Sequence, residues 1–296
     1  MSYVEVAQVR SAVHRLHRRL GSARVSGIFW LGLGILALFG GLALAAPWIA
    51  PHDPRAFVGP PLAPPSPGHP LGTNDVGQDI LSELIFGARI SLGVGLLAGG
   101  LAVALATLVG AVAGYRGGTV DAVLMRWVDA MLVLPRLPLM IVVAAYVGTG
   151  LPVVILLIAL LGWPAPARVI RAQALAIRRR AHIQSARLFG AGLGYIVRRH
   201  LVPELSPLIV AIFVGQAGRA VMLEAGLAFL GLGDPTAKSW GLMIRYALDS
   251  GGFFFTHRWV WWLLPPGLGL TLLLLGFALL GMGLEPWTHP LTRRHG

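Results

Sequence analysis

Reactive and metal-binding side chains are few in this chain, and their spacing assembles no reaction centre. No G-x-x-x-x-G-K-[ST] phosphate cradle occurs, and the single lysine, Lys238, lies outside any such loop. ATP hydrolysis by that route is excluded. The nine histidines are scattered, H-E-x-x-H is absent and cysteine is absent. Thiolate chemistry and Cys-based metal sites are therefore excluded, and no catalytic residue, metal site or cofactor is expected. What remains is charge set inside apolar runs: Arg126, Asp129 and Arg136 in one, Arg219 and Glu224 in another. A charge at the centre of a bilayer costs roughly 2.5–3.5 kcal/mol on insertion scales, so such residues face protein or a water-filled path. Arg126 and Asp129, three apart on one helix, are expected to pair. Arg219 and Glu224, five apart, point roughly 140° away from each other around a helix and are not.

The elements carrying these charges follow from composition. The 296 residues are 56% hydrophobic and 12% charged, against roughly 25% charged in a soluble domain. A helix needs about 20 apolar residues to cross about 30 Å of hydrocarbon. Six runs qualify: 28–46, 90–115, 122–147, a fourth from 151 to 163 or a little beyond, 207–232 and 261–284. The fold class expected is all-α integral membrane with about six spanning helices. Ala43-Leu44-Ala45 resembles a signal cleavage site, but a signal's apolar region is about 7–15 residues. The first run is longer and follows a 27-residue lead, so it reads as a span. Trp259, Trp261 and Trp262 at the start of the last run read as an interfacial belt. Gly95/Gly99 and Gly110/Gly114 have the spacing of close helix contacts, a packing signal only.

Orientation follows from arginine. Residues 1–27, 115–126, 165–203 and the C-terminal tail hold 17 of the 24 basic residues, all on the side that an even number of crossings makes common. Both termini and the 165–203 loop are therefore expected in the cytoplasm. The same placement explains the net charge of +12 without nucleic acid. Residues 47–89 are then external. Nine prolines between Pro47 and Pro70 predict an extended segment poor in regular structure. Residues 1–68 are expected to form an N-terminal segment with the first span and this Pro-rich stretch, and residues 69–296 the main transmembrane domain.

The 165–203 loop is far longer than a tether between spans requires. Its apolar residues recur helically: Ile183, Ala186 and Phe189, then Leu193, Ile196, Val197 and His200, with arginines between. Gly190 permits a sharp turn, and Pro203 is expected to end the second stretch. Two short amphipathic helices joined by a bend suit docking on a partner. They equally suit a basic surface lying on anionic lipid.

His182-Ile183-Gln184-Ser185-Ala186-Arg187-Leu188-Phe189-Gly190, with Ile196 and Arg199-His200-Leu201-Val202-Pro203, resembles the EAA loop of ABC-importer permeases, including the Gly190-to-Pro203 spacing. Further segments resemble the dipeptide/oligopeptide/nickel branch of that family, of the C type. They are His69-Pro-Leu-Gly-Thr-Asn-Asp-Val-Gly-Gln-Asp79, Gly87-Ala-Arg-Ile-Ser-Leu92, Tyr115-Arg-Gly-Gly118, Leu223-Glu-Ala-Gly-Leu-Ala-Phe-Leu-Gly-Leu-Gly233, Ser239-Trp-Gly241 and Leu264-Pro-Pro-Gly267. The resemblance implies an ABC type I importer permease fold in the cell (inner) membrane and no enzymatic activity in this chain. It implies as partners a second permease, two cytoplasmic ATPase subunits and an external solute-binding protein. It also implies that Ile183, Gln184, Ser185, Ala186, Phe189, Gly190, Leu193, His200 and Pro203 form the ATPase-coupling surface, with Ile183, Ala186, Phe189 and Leu193 as apolar anchors and Gly190 as the bend. Gln184 and Ser185 stand where the family has Glu and Ala. Gln keeps the length and hydrogen bonding but not the charge, so docking there rests on shape. Arg136, Arg219 and Glu224 are candidates for the translocation path. Arg219 and Glu224 pairing with the second permease is one reading; Arg219 and Arg136 attracting a peptide carboxylate is the other. An ion-driven carrier and an intramembrane hydrolase are the competing classes; the first needs no docking loop, and the second needs a partner for Asp129 that the sequence does not offer.

Overall fold

The computed structural model of the chain describes residues 27–252 and 255–288, and all regular structure among them is helical. The basic residues ahead of Gly27, and Arg293 and Arg294, lie outside the described residues. Helices α1 (Gly27–Ile49) and α2 (Ile80–Arg116) are each long and apolar enough to cross a membrane. Then follow α3 (Gly118–Val133), α4 (Arg136–Val147), α5 (Leu151–Gly162), α6 (Pro164–Ile177), α7 (Ala181–Leu188) and α8 (Leu193–Ile196). After a π-helical turn at Val197–Leu201 come α9 (Val202–Phe229), α10 (Trp240–Asp249), α11 (Arg258–Trp262) and α12 (Leu264–Thr288). Leu193–Phe229 and Arg258–Pro286 supply two further crossings, and the bent pairs α3/α4 and α5/α6 bring the number to six when each pair is one span.

Both breaks fall at proline. Leu134 is extended (φ −67°, ψ 130°), as the residue before a proline must tend to be, and α3 and α4 diverge by 82°. Pro164 opens α6, which bends 43° from α5. The α5/α6 pair also revises the expected loop. Ala167, Ile170, Ala174 and Ile177 are buried in a cluster shared with α2, so residues up to Ile177 belong to the bundle. The apolar run ends at Trp163 because arginines follow it. Those arginines are held by carboxylates of α3: Arg171 by Asp121 through two 2.5 Å contacts, and Arg168 by Asp129. The Arg126–Asp129 pair expected along α3 is therefore not formed. Asp129 turns instead to α6, which crosses beside it and offers a planar guanidinium.

α2 is the spine. Its 37 residues span about 55 Å at 1.5 Å each, well beyond the hydrocarbon. It starts at Ile80, not near Ile90, because Asp79 caps it, accepting from the Ser82 N–H at 2.9 Å. The two glycine pairs bring neighbours onto it. A Cβ on Gly99 would lie 2.8 Å from Ala217 N, and one on Gly95 2.6 Å from Val221 Cγ2, both on α9. A Cβ on Gly110 would meet Ala167 O at 2.6 Å, and one on Gly114 Ala174 Cβ at 2.7 Å, both on α6. Backbone contact of this kind substitutes for the hydrophobic drive that lipid removes. At one end of this spine Arg178 donates to the Gly114 and Tyr115 carbonyls among the clustered arginines; at the other lies the Pro-rich segment. That asymmetry puts the arginine-rich end in the cytoplasm.

Gly99→Val should lower stability by at least the roughly 1–3 kcal/mol of an overpacked core, read as a lower thermal midpoint in detergent. Gly93→Val, where a Cβ meets nothing within 4 Å, is the control.

Candidate functional site

The cytoplasmic end presents a short bent segment from Arg178 to His200. α7 closes at Gly190, whose φ of +81° is the left-handed conformation that glycine adopts without strain. Gly190 N–H donates to Arg187 O, and Ala191 N–H to Ala186 O, both at 3.0 Å. This is a Schellman closure, which ends a helix with a fixed change of direction. The chain re-enters helix at Leu193. Pro203 does not interrupt it. With no N–H and a ring that crowds the carbonyl four residues back, it is accommodated by the π turn at Val197–Leu201, and α9 runs on.

The apolar residues of this segment divide into two sets. Ile183 and Ile196 are buried in this chain's own cluster with Ile177, Leu201 and Leu205. Ile183, expected among the apolar anchors, is buried on the inner side of α7 together with residues of α6 and α9. Leu188 and Phe189 stand 87% and 91% exposed at the tip of α7. Leu188 lies off the helical stripe of Ile183 and Ala186, so spacing alone does not select it. Ala186, Leu193 and His200 are half-buried, and Gln184 and Ser185 are exposed. Gln184 donates to the Arg179 carbonyl at 3.3 Å. α7 is tied to α9 through Glu204, which takes Arg180 on one oxygen and His182 Nε2 at 2.6 Å on the other. His200 packs between the rings of His182 and Tyr195.

The chain is thus a helical membrane bundle with a bent projection at its basic end. The family described as "Binding-protein-dependent transport system inner membrane component" matches residues 106–294. The chain belongs to this family. Among its relatives, this transport permease is 32% identical over 265 residues to the dipeptide transport system permease protein of Bacillus subtilis, covering 89% of this chain and 82% of that protein. It is 35% identical over 253 residues to a probable D,D-dipeptide transport system permease protein of Escherichia coli, covering 84% and 83%.

Within the permease, the charges set in the spans have different surroundings. Arg219 is exposed on α9 and lines a cavity of about 480 Å³ with Leu208, Gly215, Met282 and Glu285; its Nε donates to Gly215 O at 3.3 Å. Arg136 is half-buried at the start of α4, just after the Pro135 break, and does not line that cavity. Glu224 is 3% exposed, within hydrogen-bonding reach of Ser239 at the head of α10. Its side chain is enclosed by this chain's own helices. The reason is α10, which folds back on α9 so tightly that a Cβ on Gly241 would lie 2.6 Å from Ala225 Cα.

The external end holds a buried polar network invisible in sequence. Lys238 Nζ meets Glu83 Oε1 at 2.7 Å and Gln78 Oε1 at 2.5 Å. Asn74 Nδ2 donates to the same two acceptors at 2.9 and 3.0 Å. Its own side-chain oxygen accepts from the Val76 and Gln78 N–H groups. The His69–Asp79 motif is thus a knot that locks the Pro-rich segment onto α2 and the loop before α10. Only the 154 residues of chain between Glu83 and Lys238 hid the pair.

Removing one partner of a buried pair strands the other charge, at roughly 3–5 kcal/mol. Lys238→Met and Glu83→Gln should each destabilise on that scale in detergent melts. The double variant should recover a substantial part, and strict additivity would refute the coupling.

Proposed function

We propose that this chain is one of two permease subunits of an ATP-driven importer in the cell (inner) membrane. It would form half of the path for peptides, or a similar small solute, delivered by an external binding protein. The relatives named as dipeptide permeases support the substrate class. Paired cytoplasmic ATPases supply the energy, since this chain has no phosphate cradle.

The observation that carries the reading is Leu188 and Phe189, two large apolar side chains almost wholly exposed at the tip of a helix rooted in the bundle. Water gives no reason for such a pair to stand out, and an apolar cleft on a partner does. In this reading Phe189 and Leu188 fill the cleft, Ala186 and Leu193 flank it, and Gln184 and Ser185 meet its rim by shape and hydrogen bonding. Ile183 and Ile196 act as the root. The Schellman turn at Gly190 keeps the angle, while His200 and Pro203 lie where the lever joins α9. ATP-driven movement of the partner would then tilt α6 and α9 and open the path alternately to each side. Arg219, in its cavity, and Arg136 are the groups of this chain suited to attracting a peptide carboxylate. Glu224 is buried away from such a role.

Truncating both anchors, Leu188→Ala with Phe189→Ala, should weaken ATPase co-purification by on the order of 30-fold or more, the scale of losing an interface hot spot of about 2 kcal/mol, and stop uptake at unchanged abundance. Gly190→Val, strained at positive φ, should uncouple transport in the same way. Normal uptake in either would refute the lever. Arg219→Leu should reduce uptake of free-carboxylate dipeptides more than of their amides; equal uptake of both at wild-type rate would remove Arg219 from the path.

A further inference from the structure

Three side chains of metal-ligand type, far apart in sequence, meet at the external end. His52 lies just beyond α1, His69 in the turn ahead of α2, and Asp79 caps α2. One ligand atom from each lies within 4.8 Å of the others. His69 Nδ1 is 3.1 Å from Asp79 Oδ1, and His52 Nδ1 is 3.9 Å from Asp79 Oδ2. The edge of a tetrahedron with bonds of about 2.0–2.1 Å is about 3.3–3.4 Å, so these separations bracket it, and small side-chain rotations would close the set. The two imidazoles already face each other, with centroids 5.0 Å apart.

Three observations distinguish this cluster from a simple histidine–carboxylate hydrogen bond. His52 Nδ1 is buried and has no hydrogen-bond partner, a rare condition for a polar atom. Asp79 is fully buried, and its Oδ2 accepts from both the N–H and the hydroxyl of Ser82. Outer contacts of that kind orient carboxylates that ligate metals. Of the three, His52 also lines a cavity of about 560 Å³ with Arg55, Phe86 and Lys238, so the cluster lies beside open space at its His52 edge.

We propose that His52 Nδ1, His69 Nδ1 and the Asp79 carboxylate bind a divalent transition ion of the Zn²⁺ type. Two imidazoles and one carboxylate are a donor set that such ions accept. The ion is a clamp: it joins the end of α1 to the N-terminus of α2 across the Pro-rich segment and compensates the buried Asp79 charge. It is separate from the cytoplasmic coupling surface, and its test needs no transport.

The full-length, tag-free permease in detergent, stripped with chelator, is titrated with Zn²⁺ and with Co²⁺, whose visible absorption reports tetrahedral nitrogen and oxygen ligands. One equivalent should bind per chain and raise the thermal midpoint. His52→Ala leaves every hydrogen bond of the cluster's His69, Asp79 and Ser82 side chains in place and so should fold. It should lose the Co²⁺ spectrum and the thermal shift, with affinity falling by more than the roughly 10–100-fold that loss of an outer-shell partner costs. His69→Ala should do the same, whereas His257→Ala should bind like the unaltered chain. Absence of a tight site in the unaltered chain, or unchanged binding in His52→Ala, overturns the proposal.

Discussion

Close backbone contact along α2 is the constraint on which the rest of this bundle depends. Lipid tails are as apolar as the side chains they surround, so burying leucine between spans gains little. Helices must instead meet where side chains are small enough for backbones to touch. Gly95 and Gly99 admit α9, and Gly110 and Gly114 admit α6, so one helix sets the position of both elements that flank the bent segment from Arg178 to His200. A bulkier residue there would move α6 and α9 apart, and with them everything attached at their cytoplasmic ends.

Polar groups are handled differently at the two ends. Outside, the Glu83–Lys238 pair is almost fully enclosed and shares its acceptors with Asn74 and Gln78. A buried pair is tolerated only when its remaining hydrogen bonds are met, and this network meets them while fixing where the extracellular segment sits. Toward the cytoplasm, Arg168 and Arg171 reach carboxylates on α3 from a more hydrated position. Those contacts add register between α3 and α6 more than stability, since exposed pairs contribute little.

The bent segment from Arg178 to His200 is held by three separate sets of contacts. Ile183 and Ile196 bury its inner face, the turn at Gly190 has hydrogen-bonded closure, and Glu204 holds α7 to α9 through Arg180 and His182. Each contact removes one way in which α7 could swing. The π turn below it passes Pro203 into α9 without a break, so the segment is continuous with a span.

The apolar runs that form the spans, and the helical, arginine-rich stretch ahead of α9, were legible in the sequence, because run length, charge bias and helical spacing are local properties of the chain. The motif from His69 to Asp79 was visible as a resemblance but not as a structure. Three assignments needed the tertiary fold. Ile183 turned inward because α6 and α9 converge beneath α7, while Leu188, off the predicted stripe, turned out. Asp129 left its neighbour Arg126 for Arg168 because α6 crosses α3. Glu224 vanished into the packing because α10 folds back on α9. In each case the deciding partner lies on another helix, tens of residues away, and periodicity within one helix carries no information about which helix will pack against it. The same holds for Lys238 with Glu83 and for His52 with Asp79: charge and ligand chemistry are written in residue types, but the distances that make them act are set only when the spans assemble.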